Sequence, residues 1–206
     1  MNIIDRVKNI LLTPKTEWPV IDQENDSVST VLTKYVLPLV LLGAVAAFVG
    51  YGIVGYDMLL VKVKGIKWGV YFAASQFVSG IIGFYVATYV IDALAPSFGS
   101  TKNLNKSAQL VAYANTPAYI AALFMFVPSL GFIGLIGLYG IYLFYIGLPV
   151  LKGTPEDKRV AYMIVSALVI IIVGAAVQWI AHSVLNMVLG NPFAGAVQDI
   201  NSLFNK

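Results

Sequence analysis

An all-α membrane fold is what the 206-residue sequence predicts: a bundle of five transmembrane helices with an amphipathic interfacial segment at each end. Composition points there first, since 59% of the residues are hydrophobic and only 11% charged, against roughly 45 to 50% and about 25% in a soluble domain. Spacing of the charges comes second. A hydrocarbon layer about 30 Å thick needs about 20 apolar helical residues. Stretches of that size without Lys, Arg, Asp or Glu run from Val36 to Tyr56, Gly69 to Ile91, Ala108 to Val127, Leu130 to Leu151 and Val160 to Leu189. The expected organisation is an interfacial N-terminal segment over 1–35, a membrane domain over 36–189 and an interfacial tail over 190–206.

At the start, "MNIIDRVKNILL" puts Ile3, Ile4, Val7, Ile10 and Leu11 on one helical stripe, with Asp5, Arg6, Lys8 and Asn9 away from it. Such a helix is expected to lie in the membrane interface. "TPKTEWP" then reads as a Pro-punctuated turn whose Trp18 suits the headgroup level, and the acidic stretch Asp22 to Ser27 reads as a solvated linker. No short basic region followed by an apolar core opens the chain, so no cleavable signal is expected and the first span stays as an anchor. At the other end, Phe193, Val197, Ile200 and Phe204 recur at helical spacing after the "GNP" break at Gly190 to Pro192. Between the last two spans, "TPEDKR" is a helix start, with Thr154 at the N-cap, Pro155 at the first helical position and acids in the first turn.

Basic residues set orientation, because they concentrate on the cytoplasmic side. With the N-terminus inside, that side holds Arg6, Lys8, Lys15, Lys34, Lys102, Lys106, Lys152, Lys158 and Arg159, and the other holds Lys62, Lys64, Lys67 and Lys206. This balance predicts a cytoplasmic N-terminus and accounts for the net charge of +3 without a nucleic-acid partner.

Chemistry is sparse. The chain has no cysteine and a single histidine, His182, which alone supplies neither a catalytic triad nor a metal site. No catalytic residue, cofactor or metal is expected. The glycine run "GFIGLIGLYG" lacks the strand, turn and lysine of a phosphate loop. Gly131, Gly134, Gly137 and Gly140, with Gly147 further on, instead read as a ridge for close helix approach, as do Ala73, Gln76, Gly80, Gly83 and Ala87 in the second span.

Two polar features remain. "VAYANTPAYI" puts Asn115, Thr116 and Pro117 well inside the third span. Pro117 cannot donate to the carbonyl of Tyr113, so the helix is expected to kink there, with Asn115 or Thr116 satisfying the freed acceptor. A buried amide needs a partner within the protein, and broken helices are also where transporters bind solutes. Gln76, Tyr113, Asn115, Thr116 and Pro117 are therefore the residues of a kink or of a polar cavity. The second feature is the stripe Gln178, His182 and Asn186, spaced by four, which reads as an ion route or as an interfacial face where a long helix leaves the hydrocarbon.

At "YANTP", "LYGIYLFYIGLPVL" and "TPEDKR", the chain resembles the Yip domain family, named for Ypt-interacting proteins, and its bacterial branch in particular. The resemblance extends from "LLTPKTEWPVI" to the fifth span. It implies five helices, a cytoplasmic N-terminus and a short C-terminus across the membrane. Eukaryotic relatives are associated with Rab-type GTPases and vesicle traffic; this chain lacks their Asp-Leu-Tyr-Gly-Pro motif and their large N-terminal region, so GTPase binding is not carried over. The expectation is a non-enzymatic membrane-organising or adaptor component whose partners are the lipid bilayer and other membrane proteins or further copies of itself. The alternative is a small permease or lipid-handling protein with a polar cavity around Asn115.

Overall fold

The structure, a computed structural model, describes residues 2–58 and 61–190. Helices α1 (Ile3–Leu12), α2 (Pro14–Gln23) and the single turn α3 (Val28–Val31) lead into α4 (Leu37–Ala47), and a hairpin of β1 (Tyr56–Met58) and β2 (Val61–Val63) follows. Then come α5 (Ile66–Leu94), α6 (Leu104–Ala114), α7 (Thr116–Leu123), α8 (Tyr139–Lys152) and α9 (Glu156–Leu189). The hairpin is antiparallel, with Tyr56 opposite Val63. It is a small departure from an all-α chain, closing the turn between the first two long helices.

Among the described residues, four helical stretches are long and apolar enough to cross a membrane: Val28–Val54, Ile66–Phe98, Phe132–Lys152 and Glu156–Leu189. The protein is thus a multi-pass membrane protein by the length and composition of its helices. The first begins before Val36, because α3 and α4 join through a π-helical stretch, Leu32–Val36. Pro38 follows at the start of α4 and cannot donate backward, and the wider turn, in which Leu37 N–H donates to the Leu32 carbonyl, accommodates it. The expected third span, Ala108 to Val127, is the one that does not run straight. Its first part, α6, ends at Ala114 and its second, α7, starts at Thr116, leaving a shorter apolar stretch, Thr116–Phe126.

Helix α5 lies at the centre, packed by α4, α6 and α9, while α8 packs on α6 and α2. Charged and polar termini gather at one end, hereafter the charged end: α1, α2, the end of α5, the start of α6, the end of α8 and the start of α9. There the N-terminal segment departs from the interfacial expectation. Ile10 joins the core and Ile3, Val7 and Leu11 pack against it, so the apolar stripe of α1 faces the bundle, although Ile4 and Leu12 stay exposed. Trp18 is buried within the bundle: Gly147 leaves the slot for its ring, since a β-carbon there would sit 2.8 Å from it. Nor is the acidic stretch only a solvated linker. Glu24 pairs with Arg6, and Asp22 pairs with Lys106 at 2.9 Å.

The glycine ridge takes a form that an α-helical reading does not give. Pro128–Leu138 is 3-10 helical, with three residues per turn. Gly131, Gly134 and Gly137 therefore align as a column instead of spiralling, and Gly140 continues it into the first turn of α8. The contacts tighten along it: Gly134 is open, a β-carbon on Gly137 would make ordinary contact with Ala118 at 3.5 Å, and one on Gly140 would lie 2.6 Å from the Ala114 carbonyl oxygen. In α5, Gly80 sits tightly under Val40 but Gly83 faces open space, so the expected seam is only partly used. A third close approach, Gly52 against Gly69, had no distinguishing pattern in the sequence.

The expected N-cap at Thr154 is displaced by one residue. Helix α9 starts at Glu156 with Pro155 as its cap, and the Thr154 hydroxyl instead bonds Ser100 Oγ at 2.8 Å and donates to the Leu148 carbonyl. Of the tail, only Gly190 is described; the periodic residues Phe193, Val197, Ile200 and Phe204, and Lys206, lie outside the described residues.

Candidate functional site

The break between α6 and α7 is built by three consecutive residues. Asn115 leaves helical geometry, at φ −82° and ψ 1°. Its side-chain amide folds back to donate to the Val111 carbonyl at 2.9 Å, and Pro117 enters the first turn of α7. The Tyr113 carbonyl, which Pro117 cannot serve, accepts the Thr116 hydroxyl at 2.7 Å. Thr116 is fully buried, and its oxygen also bonds the Tyr35 hydroxyl of the first long helix at 2.7 Å. Tyr35 in turn meets the Tyr113 ring edge-on, with centroids 4.7 Å apart.

From there the contacts run to the charged end. The Arg6 guanidinium lies 5.2 Å from the Tyr113 ring centre and pairs with Glu17 and Glu24. Arg6 and Glu17 are both buried, and Gln109 of α6 donates to the Glu24 carbonyl at 2.9 Å. Two carboxylates on one guanidinium, stacked on an aromatic ring, fix the α1–α2 hairpin against the broken helix.

A second buried ionic group ties α5, α6 and α8. Lys152 Nζ lies 3.2 Å from Asp92 Oδ1 and 2.7 Å from Ser107 Oγ, and donates to the Asn103 carbonyl at 3.2 Å. Ser107 also donates to Asp92. Because each charged atom has a partner, the helices can continue past the point where a charge would end an apolar run. Neither ionic group is apparent from spacing: the partners are 11, 18 and 60 residues apart.

Gln76 and Asn115 do not share a cavity. Gln76 opens, with Ala118 and Met125, onto a pocket of about 360 Å³. Asn115 opens onto a different one, an apolar cleft of about 450 Å³ walled by α8 and α9. Tyr113, Thr116 and Pro117 are buried in packing.

The stripe on α9 faces α5. His182 lies 3.2 Å from the Tyr71 hydroxyl and 3.4 Å from Ser75 Oγ, while Gln178 Oε1 and Asn186 Oδ1 are buried with no hydrogen-bond partner among the described residues. His182 is thus held between two long helices, near the end opposite the charged one. Among the described residues no three His, Cys, Asp or Glu side chains come together as a metal site would need.

Apolar helices enclosing buried ion pairs at one end define the class: a polytopic helical membrane protein. The Yip1 domain family matches residues 8–178, most of the chain, and the protein belongs to that family. No curated protein and no solved structure matches the chain.

Proposed function

We propose that this protein is a non-enzymatic, membrane-organising or adaptor component of the bacterial branch of its family. The charged end faces the cytoplasm, and the broken α6–α7 segment completes a fifth crossing. One observation carries the reading: the polar groups of the break are used within it. The Asn115 amide serves Val111, the Thr116 hydroxyl serves Tyr113 and Tyr35, and Gln76 and Asn115 open onto separate pockets. That arrangement supports a fixed kink over a polar route for solutes. A long exposed apolar face on α9, including Leu168, Ile172 and Trp179, supports lateral association with copies of itself or with other membrane proteins.

The test uses the purified chain in proteoliposomes, assayed for flux of small ions and polar metabolites and for lipid scrambling. Neither activity is expected. Because the chain has no cysteine, Ile172→Cys or Trp179→Cys gives a single thiol, and oxidation in the native membrane should yield a discrete cross-linked species. A flux that Asn115→Ala abolishes at unchanged melting would establish the permease alternative instead.

A further inference from the structure

The cleft onto which Asn115 opens has a wall and a mouth that the adaptor reading does not use. Its α9 wall is formed by Met163, Ser166 and Ile170, at helical spacing, and its opposite wall by Phe144, Ile141 and the bare Gly140 of α8. Ser166 is 1% exposed, lines the cleft and has no hydrogen-bond partner for its hydroxyl. One turn before Met163, on the same stripe of α9, stands Arg159. Its guanidinium lies 5.9 Å from the Tyr145 ring centre, its Nε is buried without a partner, and among the described residues it is in no ion pair. Lys152 and Arg6, by contrast, already have their carboxylates. One helical turn beyond the cleft lining, towards the charged end of the bundle, there is therefore a cation in no ion pair among the described residues.

The dimensions select the ligand. From Arg159 to Ile170 is 11 residues, a rise of about 16 Å at 1.5 Å per residue, close to the depth of one leaflet in a hydrocarbon core about 30 Å thick. About 450 Å³ falls in the size range of small-ligand sites. A partner helix, about 10 to 12 Å across with its side chains, would lie over such a cleft without filling it. Guanidinium groups pair with phosphate through two parallel hydrogen bonds, and basic pockets between membrane helices suit anionic headgroups.

We infer that the α8–α9 cleft is a binding site for one anionic glycerophospholipid of the leaflet at the charged end, its phosphate on Arg159 and one acyl chain along Met163, Ser166 and Ile170. The Ser166 hydroxyl, seven residues and about 10 Å of helix below Arg159, lies alongside the chain within the cleft. This site stands independently of the adaptor role.

Nanodiscs containing equal phosphatidylglycerol and phosphatidylcholine provide the test, with lipid retained on the ejected protein counted by native mass spectrometry. The wild type should retain one phosphatidylglycerol in preference to phosphatidylcholine by about fivefold, as one basic residue near an anionic headgroup provides. Arg159→Gln should abolish the preference while leaving weak retention of either lipid. Ala167→Phe, which fills the cleft, should abolish retention, and Leu168→Phe on the exposed face should change nothing. Each variant is counted only if its circular dichroism and elution match the wild type. Should Ala167→Phe fail that criterion, Ile170→Trp fills the same cleft. Unchanged preference in Arg159→Gln, or unchanged retention in the filled variants, would overturn the site. So would displacement of phosphatidylglycerol by equimolar oleate, which would make the ligand a free fatty acid, or a lipid-free dimer that the filled variants dissociate.

Discussion

Helices α6 and α9 both contribute to expected spans, yet they sit in the molecule in opposite ways. In α6, eight consecutive residues from Ser107 to Ala114 are buried, polar Ser107 and Gln109 among them. In α9, 34 residues long, only Tyr162 and Ser166 are buried. The first is surrounded by α3, α5 and α8 and anchored by the Lys106–Asp22 ion pair and by the bond of Ser107 to Lys152; the second rests on α5 and α8 and shows the rest to its surroundings. Apolar content alone therefore does not mark the core of a membrane protein. Buried, paired polar groups do, because hydrocarbon tails solvate an exposed leucine as well as another helix would, whereas polar atoms need partners from the protein. The charged end of the bundle is its fixed part, and α9 is the part available to lipid and partners.

That contrast is most directly broken at Lys152. Changing it to Met leaves Asp92 buried with an uncompensated charge, which should lower stability by about 3 to 5 kcal/mol. Loss of helical signal across a titration with sodium dodecyl sulfate measures this. The double change Lys152→Met with Asp92→Leu should recover most of the loss, because a well-packed apolar pair of similar volume replaces an ion pair at little cost. A double variant as unstable as the single one would mean that the cluster acts through its geometry and not its charge.

Within the glycine column the comparison can be sharpened at constant chemistry. Gly140→Leu must displace the backbone of α6, whose Ala114 carbonyl oxygen would lie 2.6 Å from the new β-carbon. Overpacking of this kind costs about 1 to 3 kcal/mol. A β-carbon at Gly134 meets nothing within 4 Å, so Gly134→Leu should change stability much less in the same titration. Equal losses would show that the column is not graded in tightness from its open end to its buried one.

Much of this was legible in the sequence, and the limits have physical causes. Long charge-free runs located four of the five expected spans, although the first helix begins at Val28 instead of Val36 and the second continues past Ile91 to Phe98; Pro117 marked the break, because both effects are local: one is the solubility of a segment, the other a missing N–H. The ends of the helices were less legible. Lys152 and the residues after Ile91 looked like flanks, since an unpaired charge ends a membrane helix, but pairing across 60 residues removes that penalty and leaves no periodic trace. Trp18 presented the same difficulty. An interfacial and a buried Trp look alike in sequence, and only the absence of a side chain at Gly147, far along the chain, decides between them. Arg159 was counted as an orienting charge, and nothing in its neighbourhood in sequence distinguishes it from Lys158. Its distinction is that Tyr145 lies beside it and that it stands one helical turn before Met163, which lines the apolar cleft.

The smallest expected effect lies at the other end of α9, at His182. Its bonds to Tyr71 and Ser75 are long, at 3.2 and 3.4 Å, and join two helices that already share an extended apolar contact. Side-chain hydrogen bonds between membrane helices average about 0.6 kcal/mol in double-mutant cycles. His182→Phe keeps the ring's volume and the neighbouring contact with Tyr71, so the change should cost about that much and no more. A cycle with Tyr71→Phe, in the same detergent titration, isolates the bond from the packing: the two changes together should cost hardly more than either alone. A loss at His182 as large as that at Lys152 would place a second fixed point at the lightly packed end. Helix α9 would then be clamped at both ends, and its exposed face would be a rigid platform, unable to shift against α5 when a partner binds.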